Sequence, residues 1–267
     1  MNCVLTGSER MYYKKIELFS KDKTNPMTDD DKKLLWNFLF LLERNGQILK
    51  NYKVIQDART NNFVLYVTAP KADSLEDKYD SPYVKQDRAK ILDRFTLRAE
   101  DCGIDTESQS YCECEKRSAV EMQTFEYDID SVFSCCDCGK PIALYELPHL
   151  NGCEDYDNIQ GWQQNYSDMD RLWMGCLFDR YTGNQRVNAF SALNMQGREL
   201  AGEMSKLLGC PVYYHLADDY GKKVKFQMID GKKIHICPQC GKVMERMAFS
   251  GNEMEVCVDC QLSFDVL

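Results

Sequence analysis

Histidine is scarce in this chain, which has three among 267 residues, at positions 149, 215 and 235. The motifs H-E-x-x-H and H-x-E followed by P-C-x-x-C are absent, as are a G-x-S-x-G elbow and a glycine-rich phosphate loop. His215 and His235 lie between apolar neighbours, a context typical of packed histidines or of histidines held against a metal ligand. We therefore expect no enzyme, with one alternative: catalysis by a cysteine that binds no zinc, or by carboxylates.

Long hydrophobic runs are also missing. The longest, Leu34 to Leu42, is interrupted by Asn37 and is too short to span a bilayer. The first residues show no basic segment followed by an apolar one, so the sequence predicts a cytoplasmic protein without a secretion signal and without a membrane partner. In that compartment 14 cysteines indicate metal ligands and buried thiols, not disulfides.

The clearest motif lies near the C-terminus, where Cys237 and Cys240 are followed after sixteen residues by Cys257 and Cys260. Two C-x2-C pairs at this spacing are typical of a four-cysteine zinc ribbon, in contrast to two disulfides or four unrelated thiols. We predict a hairpin over residues 243–256, turning at 250–252, that returns the second pair to the first. A four-thiolate site leaves no open position for substrate, so this Zn2+ would be structural.

A second cysteine cluster lies in the acidic middle of the chain. Cys135 and Cys138, followed by glycine, repeat the C-terminal C-x2-C-G pattern, and Cys112 and Cys114 can supply two more thiolates. We predict a second zinc site here; the alternative is a group of bare thiols in a loop. Three other cysteines compete as ligands: Cys102, Cys136 and Cys153.

The first hundred residues show an α+β pattern. Strand-like composition at 11–19 precedes a helix that begins after Thr28 and ends at Asn45-Gly46. Two further strand-like runs, 48–55 and 63–68, and a helix over 84–98 follow. This order suggests a ferredoxin-like unit.

The second half is predicted to be helical and then β. Apolar residues at helical spacing follow Asn158, and Ser191 begins a helix over 192–208 that ends at Gly209. Residues 212–216 and 224–229 are predicted to form a hairpin. The predicted fold class is thus α+β, in four segments: 1–100, an α+β domain; 101–157, an acidic zinc-knuckle segment; 158–230, a helical region with a hairpin; and 231–267, the zinc ribbon.

Several ordered motifs carry a resemblance over residues 138–262. They are Cys-Gly-Lys-Pro-Ile-Ala-Leu-Tyr-Glu-Leu-Pro at 138–148, Trp162 to Tyr166, Asp170 to Trp173, Ser191-Ala192-Leu193, Gly197-Arg198-Glu199-Leu200, Cys210-Pro211-Val212-Tyr213-Tyr214 and the closing cysteine pairs. This region resembles an uncharacterised bacterial family of zinc-ribbon-containing proteins with a suggested nucleic-acid-binding role. The resemblance implies zinc ligation by Cys237, Cys240, Cys257 and Cys260, and a role for Cys135 and Cys138; it implies no reaction.

Charge is distributed unevenly along the chain. The net charge of −9 resides almost wholly in residues 61–160, which hold 10 Lys and Arg against 21 Asp and Glu. We predict an acidic surface that binds a basic protein partner, as in an immunity or antitoxin protein that masks a basic toxin; the alternative is a merely solvated face. The residues proposed for this surface are Glu113, Glu115, Glu121, Glu126, Asp128 and Asp130, with Tyr111, Phe125 and Tyr127 as aromatic anchors.

Nucleic-acid binding through the ribbon is the alternative function. It requires lysines and arginines that displace counterions from phosphates. From Gly231 onward four basic residues face five acidic ones, and four thiolates on one zinc ion leave about −2 more. A small basic strip is still available: Lys222, Lys223, Lys225, Lys232 and Lys233.

Overall fold

The computed structural model describes residues 11–22, 28–57, 62–105, 108–125, 131–150, 152, 154–218, 225–249 and 252–266. The chain forms two compact units. Unit 1 comprises Met1–Tyr111, Ala143–His149 and Cys153–Tyr156, and unit 2 comprises Cys112–Ile142, Leu150–Gly152 and Asp157–Leu267. Within the described ranges, none of the helices combines the length and apolarity required to span a bilayer.

Unit 1 is a four-stranded antiparallel sheet with two helices. Its elements are β1 (Tyr12–Ser20), α1 (Asp29–Arg44), β2 (Lys53–Gln56), β3 (Phe63–Ala69), α2 (Pro82–Arg94) and β4 (Phe95–Ile104). The strands lie in the order β2-β3-β1-β4. A core of aliphatic and phenylalanine side chains joins the sheet to both helices, and includes Leu18 and Leu65 from strands, Leu35 and Phe38 from α1, and Ile91 from α2.

Helix α1 has the predicted bounds because its ends are specified locally. The Thr28 hydroxyl accepts a hydrogen bond from the Asp31 backbone N–H, while the Asp31 carboxylate accepts one from the Thr28 N–H at 2.9 Å. This reciprocal cap satisfies two N–H groups that would otherwise lack partners, and the acidic first turn complements the helix dipole. The helix stops at Asn45, as predicted.

Two of the predicted elements in unit 1 were wrong in extent. The helix predicted over 84–98 ends at Arg94, and the chain continues directly into β4. Phe95 and Leu97 pair with Ser20 and Leu18 of β1, so these apolar residues alternate along a strand and do not extend the helical stripe. The strand predicted over 48–55 is confined to Lys53–Gln56.

Unit 2 is built on a six-stranded mixed sheet. Its strands are β5 (Val120–Met122), β6 (Phe133–Cys135), β7 (Val212–His215), β10 (Glu245–Phe249), β11 (Asn252–Cys257) and β12 (Leu262–Asp265), in the order β10-β11-β12-β7-β5-β6. Strand β7 runs parallel to both β12 and β5. A separate hairpin pairs β8 (Phe226–Ile229) with β9 (Lys232–His235). Three helices complete the unit: α3 (Asp157–Met174), α4 (Asp179–Val187) and α5 (Ala192–Leu208).

The hairpin predicted between 212–216 and 224–229 is wrong. Strand β7 pairs with β5 and β12, and β8 pairs with β9; residues 219–224 lie outside the described part of the chain. All four residues of β7 are buried, which is characteristic of a central strand covered on both faces. Helix α4 had no predicted counterpart.

Helices α3 and α5 meet the sheet at an aromatic cluster. The Trp162 ring lies 5.7 Å from that of Tyr214, edge to face, and its indole N–H donates to the Leu193 carbonyl at 3.1 Å. The Tyr214 hydroxyl donates to Asn194 Oδ1 at 2.8 Å. Gly197 of α5 lies directly against both rings, because a Cβ there would overlap Tyr214 Cε2 and stand 2.7 Å from Trp162 Nε1. Glycine is therefore what allows this close helix-to-sheet contact.

Candidate metal centres

The structure brings Cys112, Cys114, Cys135 and Cys138 together as one cluster, here called site A. Their sulfurs all lie within 4.8 Å of one another. Four thiolates bound tetrahedrally at about 2.3 Å from zinc are roughly 3.8 Å apart, so small shifts would close the group on one ion. The described residues thus offer at this site the same four ligands that the cysteine pattern predicts.

Backbone hydrogen bonds shape the two arms of site A. Strand β6 ends at Cys135, whose N–H donates to the Lys140 carbonyl at 2.9 Å, while Gly139 N–H returns to the Cys135 carbonyl at 2.7 Å. Gly139 has a φ of 71°, a left-handed conformation that suits glycine. The other arm is held by Cys112 N–H, which donates to the Pro141 carbonyl at 2.7 Å.

Site B consists of Cys237, Cys240, Cys257 and Cys260, whose sulfurs also lie within 4.8 Å of one another. Cys240 Sγ and Cys257 Sγ are 3.6 Å apart, close to the separation expected on a shared zinc ion. The first pair repeats the turn of site A: Cys237 N–H donates to the Lys242 carbonyl and Gly241 N–H to the Cys237 carbonyl. The second pair starts at Cys257, the last residue of β11, which pairs antiparallel with β10 as the predicted hairpin requires; residues 250 and 251 lie outside the described ranges.

The protonation of site A depends on burial. Burial raises the pKa of Cys135 to about 11 and raises the pKa of Cys114 and Cys138. For Cys112 burial acts in the same direction, but hydrogen bonds from Arg117 and from the Cys114 N–H outweigh it and lower the pKa. Four clustered thiols, most of them opposed to ionisation by burial, fit a bound divalent cation, whose charge would compensate the thiolates.

Site B differs from site A in the exposure of one ligand. Cys240 is exposed, and hydrogen bonds from the Lys242 backbone and the neighbouring thiols hold its pKa at about 7. Burial instead raises the pKa of Cys257, and it raises that of Cys260 to about 11. Cys240 is therefore both accessible to reagents and readily ionised near neutral pH.

This difference predicts an order of thiol reactivity. When zinc is withdrawn gradually from the folded protein with a chelator at pH 7, we expect N-ethylmaleimide to modify Cys240 before any cysteine of site A, because the thiolate is the reactive species and Cys240 is exposed whereas the site A cysteines are buried or half-buried. Peptide mass mapping of a reaction time course measures the order. Metal-loaded protein is the control, in which Cys240 should react at least roughly tenfold more slowly. Faster modification of Cys135 would contradict the prediction.

The competing cysteines lie elsewhere. Cys136 is buried between the two ligands of its own turn, but it packs with Ala119, Tyr213 and Val256 and not with the other sulfurs. Cys102 is exposed on β4 of unit 1. Cys153 lies outside the described residues. The Cys136 side chain packs into this hydrophobic group and is not part of the site A cluster, which the cysteine spacing alone does not reveal.

Both clusters are attached to one sheet. Cys135 of site A is the last residue of β6 and Cys257 of site B is the last residue of β11, and four strand-to-strand steps, about 19 Å, separate these strands. The buried group of Ala119, Cys136, Tyr213 and Val256 connects them, since Cys136 adjoins a ligand of site A and Val256 adjoins one of site B. Residues that adjoin the two cysteine clusters therefore share one buried group.

A buried charged group lies beneath site B that the sequence did not predict. Glu255 is fully buried; its carboxylate accepts from His235 N–H at 2.7 Å and from Arg246 Nε at 2.9 Å, and contacts His235 Nδ1 at 2.8 Å. The His235 ring also stacks on Phe264 at 4.4 Å. Glu255 and Arg246, counted from sequence as opposing surface charges, form a buried ion pair. Alternation along β11 would place Glu255 on the face opposite Val256 and on the same face as the exposed Glu253, so the strand pattern gives no signal of this burial.

Among the described residues of the predicted acidic surface, Glu121 and Tyr111 do not contribute to it. Glu113, Glu115 and Phe125 are exposed. Glu121 is engaged within unit 2, where it accepts from Ser263 Oγ at 2.8 Å and lies 3.2 Å from His215 Nδ1. Tyr111 is buried in the core of unit 1 and cannot serve as an anchor. The remaining residues of that proposed surface, Glu126, Tyr127, Asp128 and Asp130, lie outside the described ranges.

Comparison with known proteins gives uncharacterised relatives. Residues 114–217 match a domain of unknown function (DUF2310), and residues 11–101 match a second (DUF8589). The two domains mark an uncharacterised family, and neither description names a zinc ribbon. Two uncharacterised proteins of Haemophilus influenzae are similar to this chain. One is 26% identical over 74% of this chain and 76% of its own length, and the other 32% identical over 38% of this chain and 47% of its own length.

Solved structures add little. A protein of Nitrosomonas europaea, provisionally named an antibiotic biosynthesis monooxygenase, aligns with 39% of this chain and 99% of its own, at 15% identity and a TM-score of 0.30. A likeness this weak carries no argument about fold or function.

Proposed function

We propose that this protein is a non-enzymatic binding protein whose second unit is held together by two structural zinc ions. The observation that carries the proposal is the presence of two clusters of four cysteines each. In each cluster, the four sulfurs all lie within 4.8 Å of one another. All-thiolate sites favour zinc over harder cations, and four protein ligands leave no coordination position for water or substrate. The metal would supply folding free energy and no catalysis.

Strand order, helix placement and cysteine pairs support two finer fold assignments. Unit 1 is proposed to be ferredoxin-like, supported by the strand order β2-β3-β1-β4 with one helix between β1 and β2 and another between β3 and β4. Residues 231–267 are proposed to be a zinc ribbon, supported by the two cysteine pairs and by the β10–β11 hairpin between them.

Metal analysis tests the proposal. Elemental analysis of the purified protein should give two zinc equivalents per chain, and dialysis against a strong chelator should remove both with loss of the near-ultraviolet circular dichroism of unit 2. Re-addition of zinc should restore the signal, whereas magnesium, which prefers oxygen ligands, should not. One equivalent per chain, or an unchanged spectrum after zinc removal, would contradict it.

For the binding partner we propose a basic protein. Glu113 and Glu115 flank Cys114 and are exposed, so bound zinc would fix their positions beside site A. Exposed carboxylates on a rigid loop attract a cationic surface and accelerate association. An immunity or antitoxin role remains a prediction from charge alone, because the similar proteins are uncharacterised.

One observation favours nucleic acid as a second candidate. The β8–β9 hairpin and the residue before it expose Lys225, Phe226, Lys232 and Lys233, and Lys233 Nζ lies 4.7 Å from the centre of the Phe226 ring. An exposed aromatic ring flanked by cations is an arrangement that binds single-stranded nucleic acid. Lys222 and Lys223 of the predicted strip lie outside the described residues.

The two candidates respond to different substitutions. If the proposal is correct, Glu113→Lys with Glu115→Lys should slow association with a basic partner isolated from the native host, roughly tenfold at low salt, while Lys232→Glu with Lys233→Glu should not slow it. Surface plasmon resonance measures both rates. Salt-sensitive binding of a labelled single-stranded oligonucleotide that is lost in the lysine variant would favour the second candidate instead.

A further inference from the structure

An exposed apolar turn joins α3 to α4. All eight residues of Met174–Tyr181 are exposed, and four of them carry large apolar or aromatic side chains: Met174, Leu177, Phe178 and Tyr181. Phe178 is 74% exposed and Tyr181 60%. Together the four side chains present roughly 450 Å² per chain, an area comparable to the largest apolar patch of a typical monomer, which is often functional. The segment Met174–Tyr181 is here called the apolar turn.

The apolar turn has a defined backbone. The Leu177 N–H donates to the Leu172 carbonyl at 2.9 Å and the Cys176 N–H to the Trp173 carbonyl at 3.0 Å, a pattern that ends a helix with one left-handed residue. That residue is Cys176, with a φ of 55°, and Phe178 is also left-handed, with a φ of 57°. Glycine usually takes such positions, and strained conformations at other residues concentrate at functional sites. These hydrogen bonds fix the backbone of the turn, and the Phe178 side chain is exposed on it.

The charges at the turn indicate what covers it. Asp179 and Arg180 are adjacent and exposed, and neither forms an ion pair with another described residue. On α3, Asp168 and Arg171 add one charge of each sign. A patch with balanced charges has no preference for a basic or an acidic partner. In a twofold arrangement, however, Asp179 of each copy can face Arg180 of the other, as an isologous interface requires.

We infer that the apolar turn is the contact between two copies of this chain. Two facing patches would bury roughly 900 Å², below the range of stable dimers and within that of weak ones. Preorganisation of the turn lowers the entropy lost on association. The expected assembly is a weak homodimer with a dissociation constant of roughly 10–100 µM. This inference concerns self-association and is independent of the identity of the partner proposed above.

Sedimentation velocity of the intact, zinc-loaded protein between 5 and 500 µM, in reductant, tests the inference. The weight-average mass should rise toward that of a dimer, and Phe178→Asp should weaken association roughly tenfold or more. Tyr83→Asp is the matched control, because Tyr83 is an exposed aromatic residue of unit 1. Equal melting temperatures of the two variants would show that Phe178→Asp folds. A monomer at 500 µM, or an unchanged constant in Phe178→Asp, would overturn the inference.

Thiol protection gives a second measurement without substitution. Cys176 lies within the apolar turn and Cys102 lies on β4 of unit 1, and both are exposed. Maleimide modification of Cys176 should slow several-fold as protein concentration rises from 5 to 500 µM, at fixed excess reagent, while modification of Cys102 should not. Equal rates for Cys176 at both concentrations would count against a contact at this turn.

Discussion

Replacing Cys135 with serine is expected to abolish metal binding at site A and to leave unit 2 without its native packing. Cys135 is a buried ligand at the end of β6 and its sulfur belongs to the four-sulfur cluster. Structural zinc contributes about 10–16 kcal/mol to folding in small modules. That amount matches or exceeds the total stability of a typical domain, about 5–15 kcal/mol. Elemental analysis and near-ultraviolet circular dichroism measure the outcome.

Cys136→Ala is the matched control, one residue along the chain. Cys136 is equally part of the core but packs with Tyr213 and Val256, away from the metal cluster. Loss of its sulfur should cost about 1–2 kcal/mol and leave two zinc equivalents per chain. If Cys136→Ala loses zinc while Cys135→Ser keeps it, the ligand assignment at site A is wrong. If both lose it, the site depends on packing and the variants do not discriminate ligands.

Gly197→Ala is the second substitution with a large expected effect. The new Cβ would overlap Tyr214 Cε2 and lie 2.7 Å from Trp162 Nε1, and both side chains are fully buried. The aromatic cluster or α5 must move to admit it, at a cost of about 2–4 kcal/mol after the small gain in helix propensity. Chemical denaturation followed by tryptophan fluorescence, to which the buried Trp162 contributes, measures the free energy of unfolding.

Gly202→Ala in the same helix provides the opposite expectation. No atom lies within 4 Å of a Cβ built at Gly202, so the change should stabilise by about 0.5–1 kcal/mol through helix propensity alone. The two variants make the same chemical change on one helix, and their difference isolates the close contact at Gly197. A Gly197→Ala protein as stable as the original would show that α5 does not approach the sheet as described.

The sequence was sufficient to predict features that depend on interactions between residues close together in the chain, such as helix ends and C-x2-C turns. Thr28 and Asp31 determine the start of α1, and Gly209, in the left-handed conformation at the end of α5, determines its stop. The cysteine spacings likewise indicated which thiols meet, because a C-x2-C turn ending in glycine places two sulfurs on one side by its own backbone hydrogen bonds. For site A, the spacing left Cys102, Cys136 and Cys153 as competitors, and the structure selected among them.

Non-local pairing was beyond sequence patterns. A strand such as β7 reads as half of a hairpin until its partners β5 and β12, about ninety residues before it and fifty residues after it, are known. Whether Phe95 ends a helix or begins a strand depends on the open edge of β1. Periodicity measures only neighbours along the chain, whereas pairing depends on which hydrogen-bonding edges remain unfilled.

The sequence by itself indicated the two clusters of cysteines, with competing thiols left open at site A, and the capped helices, since a few adjacent residues specify each of them. Only the tertiary structure decided that both clusters lie on one sheet, that Glu255 is buried against His235 and Arg246, and that Tyr111 is core. A charged or aromatic residue is the same residue whether it is buried or exposed, so the sequence alone does not tell the two apart. Its burial is determined by distant segments that fold over it, and linear spacing does not encode that outcome.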